Sequence, residues 1–89
     1  MNYDCYNITL ETLRADMIRN REIEFELKGH PYFAQPCTDA PSPVCYQIWD
    51  VVTHECVFQG GLKETLAFAF PGGYALQTDF EEFDILYIL

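Results

Sequence analysis

The sequence predicts an α+β fold: a small antiparallel sheet, made of two hairpins and a C-terminal strand, with two or three short helices packed on one face. Glutamates alternate with apolar residues near position 25, and apolar residues recur at helical spacing before and after the central strands. The 89 residues are 49% hydrophobic and 16% aromatic, which supports one modest core. We therefore expect a single domain over residues 1–89.

The first element is a helix that the pattern predicts near residues 9–20. Thr9 is a residue type that caps helix N-termini. Leu10, Leu13 and Met17 recur at helical spacing, so one side of this helix is apolar.

A hairpin follows, in which Glu22 to Leu27 alternate strictly between acidic and apolar residues. Lys28-Gly29 suits a two-residue turn that pairs Phe25 with Tyr32 on the buried face. The other face would carry a line of carboxylates about 6.6–6.8 Å apart, similar to the spacing of backbone phosphates. These carboxylates belong to Glu22, Glu24 and Glu26.

Residues 36–43 contain three of the five prolines and predict an exposed loop. The β-branched and aromatic residues from Val44 to Val52 predict a third strand. Thr53-His54 suits a turn, and Glu55 to Phe58 continues as the partner strand, which completes a second hairpin.

The C-terminal third begins with apolar residues at helical spacing from Leu62 to Phe70, and Pro71-Gly72-Gly73 ends this second helix. The segment from Tyr74 to Leu89 fits both a helix and a strand. We favour one turn of helix followed by a strand over Phe83 to Leu89.

Two aromatic residues are candidate anchors for a partner. Phe33 would lie across from Glu24 in the first hairpin. Trp49 lies on the outer face if Tyr46 and Ile48 face the helices, whereas the opposite register buries Trp49 in the core, and both alternatives remain open. Aromatic residues surrounded by carboxylates are typical of interface hot spots.

The chain is strongly acidic, with 14 acidic and 5 basic residues and a net charge of −9. After Lys28 the only basic residue is Lys63. Such a surface repels nucleic acid and anionic membranes and attracts proteins with basic grooves. A second acidic cluster comprises Asp79, Glu81, Glu82 and Asp84. Both groups of acids also have a simpler interpretation: the strand glutamates would only face solvent, and the second cluster would only stabilise the N-terminus of a helix.

Residue spacing predicts no catalytic residue, no cofactor and no metal. The only serine, Ser42, lies between two prolines with no assignable base. The cysteines lack the paired spacing of zinc ligands. Because no export signal is recognisable, we expect a cytoplasmic protein whose four cysteines are free thiols. A protein that uses these thiols, or that binds zinc through them, remains one further hypothesis. The cysteines are Cys5, Cys37, Cys45 and Cys56.

The stretch LETLRADMIRNREIEFELKGHPYF, from Leu10 to Phe33, resembles the opening of small acidic proteins from bacteriophages and other mobile elements. In those proteins a short helix leads into an REIEFEYNGKRY-like hairpin. Lys28 stands where Asn is common, and the loop 36–43 looks like an insertion. This group includes anti-CRISPR proteins and other inhibitors of host defence, several of which look like nucleic-acid mimics.

The resemblance and the charge together lead to a non-enzymatic inhibitor as the first hypothesis. It would bind a bacterial RNA-guided nuclease, or another nucleic-acid-binding defence protein, at its basic surface by nucleic-acid mimicry. The alternative is a phage or mobile-element accessory or assembly protein that self-associates as a homodimer through its open sheet face. The expected partner-binding residues are Glu22, Glu24, Glu26, Phe33, Trp49, Asp79, Glu81, Glu82 and Asp84.

Overall fold

A computed structural model describes residues 8–37 and 43–89. Cys5, Ser42 and most of the predicted loop lie outside the described residues. The fold is α+β, as the sequence predicts. In chain order the elements are α1 (Leu10–Ile18), β1 (Ile23–Leu27), β2 (His30–Pro36), β3 (Cys45–Asp50), β4 (Glu55–Gly61), α2 (Leu62–Ala67), a 3-10 turn (Phe80–Glu82) and β5 (Phe83–Ile88).

All five strands form one antiparallel sheet in the order β4-β3-β2-β1-β5. The predicted pairing of Phe25 with Tyr32 is confirmed. Lys28 and Gly29 both have positive φ, 50° and 84°, as a two-residue type I′ turn requires.

The antiparallel sheet is confirmed, but its expected composition of two hairpins plus a C-terminal strand is corrected. β2 also pairs with β3, and β1 pairs with β5, so the strands form one continuous sheet. A hairpin leaves backbone N–H and C=O groups unpaired along both of its edges, and lateral pairing satisfies these groups while it joins the apolar rows of neighbouring strands.

The described residues contain two α-helices, and the first is shorter than predicted. Thr9 caps α1 as expected: its hydroxyl oxygen accepts a hydrogen bond from the Thr12 N–H at 3.2 Å, and the Thr12 hydroxyl oxygen accepts one from the Thr9 N–H at 2.8 Å. The helix ends at Ile18, and Asn20 adopts the left-handed conformation, with φ of 59°. No helix within the described residues is long and apolar enough to cross a membrane.

The second helix, α2, ends at Ala67 and does not continue to Phe70 as the apolar spacing predicted. Phe68 is extended, and its ring centroid lies 5.0 Å from that of Phe58 and 4.8 Å from that of Phe70. Pro71 also disfavours a helical conformation at the residue before it. Helical spacing alone cannot detect these ring contacts.

The core lies between the sheet and the helices, and Phe70 is at its centre. This ring is 2% exposed. Its centroid lies 5.8 Å from that of Phe25, 4.8 Å from that of Tyr32 and 5.3 Å from that of Phe83. The cluster therefore joins the segment after α2 to β1, β2 and β5.

The C-terminal segment follows the favoured prediction. One turn of 3-10 helix, Phe80–Glu82, leads into the terminal strand Phe83–Ile88. Ala75 and Leu76 are buried before this turn. The Gln77 N–H donates to the Leu66 carbonyl at 3.0 Å, which ties the segment to α2.

Cys37 and Cys45 form a disulfide, which corrects the expectation of free thiols at these positions. Their Cα atoms are 5.3 Å apart, and the Cys37 N–H donates to the Cys45 carbonyl at 2.8 Å. The pairing of β2 with β3 brings the two residues together, a tertiary contact that cysteine spacing does not reveal. Cys56 is free and exposed.

Tyr46 connects β3 to the end of α1. It is fully buried, and its hydroxyl lies 3.0 Å from the Met17 carbonyl oxygen and 2.6 Å from that of Arg21. Burial, with the nearby Asp16 and Glu22 carboxylates, raises the pKa of Tyr46 well above its ordinary value. The phenol therefore stays neutral and remains a hydrogen-bond donor.

We expect Tyr46→Phe to lower the free energy of unfolding by roughly 1–3 kcal/mol, because the buried Met17 carbonyl oxygen and the part-buried Arg21 carbonyl oxygen lose the hydroxyl donor that they share. Urea denaturation followed by circular dichroism measures this change. Tyr87→Phe is the matched control, since Tyr87 is 51% exposed. Equal stability of the two variants would contradict the anchoring role of Tyr46.

We expect the double substitution Cys37→Ala/Cys45→Ala to lower the free energy of unfolding by roughly 2–3 kcal/mol, because the cross-link closes a short loop and restricts the unfolded chain. Denaturation with and without a reducing agent measures the difference. Cys56→Ser should leave stability unchanged, as Cys56 is free and exposed. A wild-type curve that is insensitive to reductant would show that the cross-link does not stabilise the fold.

Candidate protein-binding face

Within the described residues, the helices pack on one face of the sheet only, and we call the other the open face. Ile23, Phe25 and Leu27 of β1 are buried, so Glu24 and Glu26 project to the opposite side. Cross-strand partners share a face. The open face therefore includes Glu24, Glu26, Pro31, Phe33, Gln35, Cys45, Gln47, Trp49, Cys56, Gln59, Asp84 and Tyr87.

An aromatic row crosses the open face. Phe33 is the register partner of both Glu24 and Trp49, and Tyr87 is the partner of Glu24 on the other side. Ile48 is fully buried beside Trp49, so the alternative that placed Trp49 in the core is wrong. Phe33 and Trp49 are half-buried, and Tyr87 is 51% exposed.

Three glutamine side chains hold the tryptophan in place. The Gln35 amide donates to Gln47 Oε1 at 3.1 Å, and the Gln47 amide donates to Gln59 Oε1 at the same distance. The Trp49 indole N–H also donates to Gln47 Oε1, at 3.2 Å. Sequence reasoning missed this ladder, although Gln47 lies between the inward-facing Tyr46 and Ile48 and alternation alone would have placed it outside.

The two acidic clusters of the sequence meet on this face. Glu26 of β1 is the register partner of Asp84 of β5. One of the C-terminal acids has a cationic partner, because Lys28 Nζ lies 3.6 Å from Glu82 Oε1. The charge of Glu82 raises the pKa of Lys28, and Tyr74 adds a smaller effect in the same direction. Lys28 Nζ lies 4.9 Å from the Tyr74 ring centroid.

The remaining predicted residues lie elsewhere. Asp79 acts within its own turn: its Oδ2 accepts hydrogen bonds from the Ala75 N–H at 3.0 Å and the Thr78 hydroxyl at 2.8 Å. These bonds lower the pKa of Asp79. Glu81 is exposed in the 3-10 turn, and Glu22 precedes β1 and is half-buried. The open face therefore brings together Glu24, Glu26, Phe33, Trp49 and Asp84.

A cleft of about 410 Å³ lies at one end of the aromatic row. Its walls come from three strands and from the turn between β3 and β4. Asp50 begins this turn and stabilises it, because its carboxylate accepts hydrogen bonds from the Val52 N–H at 2.9 Å, the Thr53 N–H at 3.1 Å and His30 Nε2 at 2.8 Å. The lining residues are Glu24, Phe33, Gln35, Trp49, Asp50, Val51 and His54.

The pKa of Asp50 reflects these contacts. Burial acts to raise this pKa, but the hydrogen bonds from Thr53, His30 and Val52 outweigh it, so that the pKa is lowered. The carboxylate is therefore ionised at neutral pH and holds the turn that forms one end of the cleft.

A search for metal ligands and comparisons with known proteins identify no other functional site in the described residues. Across residues 8–37 and 43–89, no three His, Cys, Asp or Glu side chains are close enough to hold a metal ion. No protein-family model matches the chain, and no curated protein or solved structure is significantly similar to it. The functional argument depends on the open face itself.

We expect Asp79→Asn to make the stability of the fold less dependent on pH under acidic conditions. The pKa of Asp79 is lower in the folded state than its value of 3.8 in the unfolded chain. The ionised carboxylate therefore contributes its full stabilisation above pH 3.8, and this contribution is lost as the pH falls through the pKa of the folded state. Wild-type stability should fall more steeply below pH 3.8 than that of Asp79→Asn. Thermal unfolding across this range measures both slopes, and Glu81→Gln is the control. Parallel curves for wild type and Asp79→Asn would show that the Asp79 bonds contribute nothing.

Proposed function

We propose that this protein is a non-enzymatic inhibitor that binds a basic, nucleic-acid-binding protein through its open face. The observation that carries the proposal is that Glu24, Glu26 and Asp84 share a face without helices with the half-buried rings of Phe33 and Trp49, and that Glu24 is the register partner of Phe33. Aromatic anchors supply apolar contact area in protein interfaces, and charges set the orientation and the rate of association.

The charge of the sheet supports a basic partner. The chain has five basic residues, at positions 14, 19, 21, 28 and 63, and all lie in the described residues but outside the strands. The open face therefore carries carboxylates without intervening cations. Glu26 and Asp84 are directly opposed, and a cation from a partner would relieve their repulsion.

The same charge disfavours a face-to-face homodimer. A two-fold interface places the same patch on both sides, so the carboxylates of one copy would approach those of the other. This electrostatic cost favours the inhibitor over the self-associating accessory protein, which remains an outcome of the test below.

The partner class that we propose is a bacterial RNA-guided nuclease. Such nucleases hold the guide–target duplex in a positively charged channel and recognise its backbone geometry. In β1, Glu24 and Glu26 alternate along one side of the strand, which places carboxylates about 6.6–6.8 Å apart. This spacing would let the strand occupy part of a phosphate-binding channel.

The test uses a purified Cas9-type nuclease loaded with guide RNA. We expect the protein to reduce DNA binding and cleavage by this complex, with stronger inhibition at low salt than at high salt. Glu24→Lys/Glu26→Lys should raise the inhibitory concentration at least about tenfold, because it reverses the charge of the contact surface. Fluorescence anisotropy of labelled target DNA measures the competition.

The control is Glu11→Lys/Glu64→Lys, which changes the net charge equally through exposed helix residues. Unaffected DNA binding at a large excess of the protein would overturn the proposal for this partner class. Equal loss of inhibition in both double variants would show that net charge acts without a specific face. Concentration-dependent dimers in light scattering, without competition for DNA, would support the accessory-protein alternative.

A further inference from the structure

We propose that the cleft between Phe33 and Trp49 is a binding site for an arginine side chain, held by the two aromatic rings and by the carboxylate of Glu24. This inference rests on the proposed function, since it names the group by which a basic partner would be recognised. It assigns a defined ligand to one part of the open face.

The cleft is large enough to hold a side chain. Its volume of about 410 Å³ is at the low end of the roughly 300–1,000 Å³ range of ligand pockets. Phe33 and Trp49 lie next to each other in the register of β2 and β3 and form the apolar part of the wall. The Gln47 contact to the indole fixes the Trp49 ring before any ligand binds.

The electrostatics of the cleft suit a cation. Glu24 lines the cleft and is exposed. In the described part of the chain its carboxylate forms no ion pair and no hydrogen bond. Asp50 also lines the cleft, but its carboxylate is already hydrogen-bonded to His30 and to its own turn. Glu24 is therefore the carboxylate that a ligand can pair with.

Arginine fits this combination better than lysine. Its planar guanidinium stacks on aromatic rings and is weakly hydrated, and its fork of N–H donors matches a carboxylate. The Gln35 amide in the wall offers an additional polar contact. A lysine ammonium is more strongly hydrated and has no flat face for Phe33 or Trp49.

The experiment uses the single tryptophan as its reporter. Trp49 is the only tryptophan in the chain, so intrinsic fluorescence reports the cleft directly. The probe is the peptide acetyl-Gly-Arg-Gly-amide, compared with the same peptides containing lysine or citrulline, which is the neutral analogue of arginine. We expect a saturable change with the arginine peptide and roughly tenfold weaker binding of the citrulline peptide, which loses both the cation–π contact and the ion pair.

Two variants test the assignment to Glu24 and Phe33. Glu24→Gln should weaken binding of the arginine peptide roughly two- to fivefold, as expected for a solvent-exposed ion pair. Phe33→Leu should weaken it while leaving Trp49 as the reporter. Glu11→Gln is the control, because Glu11 is exposed on α1, and it should bind like wild type. Amide chemical shifts in NMR spectra show whether each variant is folded and whether the peptide contacts β2 and β3.

Equal binding of the arginine and citrulline peptides, the absence of a saturable signal, or an unchanged affinity in Glu24→Gln would overturn the proposal. The assay needs no nuclease, so its outcome is separate from that of the competition experiment. Peptide binding without nuclease inhibition would support the cleft and reject the proposed partner class. Nuclease inhibition without peptide binding would support the proposed partner class and reject the arginine site in the cleft.

Discussion

The packing of the Phe70 ring against three strands fixes which face of the sheet is buried. This ring lies within 5.8 Å of the ring centroids of Phe25, Tyr32 and Phe83, which belong to three neighbouring strands. Side chains alternate between the two faces of a strand, so burying these rings on one side forces their neighbours to the other. A one-residue slip of β1 would place Glu24 against Phe70, where an unpaired carboxylate would be severely destabilising. The aromatic core therefore decides which residues form the open face.

The same core brings like charges together. Phe83 packs on Phe25, so β5 must lie beside β1, and Glu26 then faces Asp84. Directly opposed like charges destabilise a sheet slightly, and here water on the open face screens them. The contact between Lys28 and Glu82 provides one local cation at the end of the hairpin. Glu24 is the register partner of Phe33 on this face, so a carboxylate and an aromatic ring are neighbours there.

Local patterns predicted the local structure well. The register of the first hairpin, the Thr9 cap and the terminal strand after one turn of helix follow from alternation, capping preference and β propensity. The end of α2, the disulfide and the role of Asp79 did not follow, because each depends on a tertiary contact or a specific turn geometry. Phe68 leaves the helix to contact Phe58 and Phe70, and Cys37 meets Cys45 only because β2 pairs with β3.

The acidic and apolar faces of the first hairpin, and the large excess of negative charge, follow from the amino-acid sequence alone. Period-2 alternation and composition are local properties, so they can be read without knowing the fold. The position of Trp49 on the open face, the pairing of Glu26 with Asp84 and the cleft lined by Phe33 and Trp49 arise from the folded arrangement of the strands. These features depend on which strands are neighbours, and strand order is set by the burial of residues far apart in the chain.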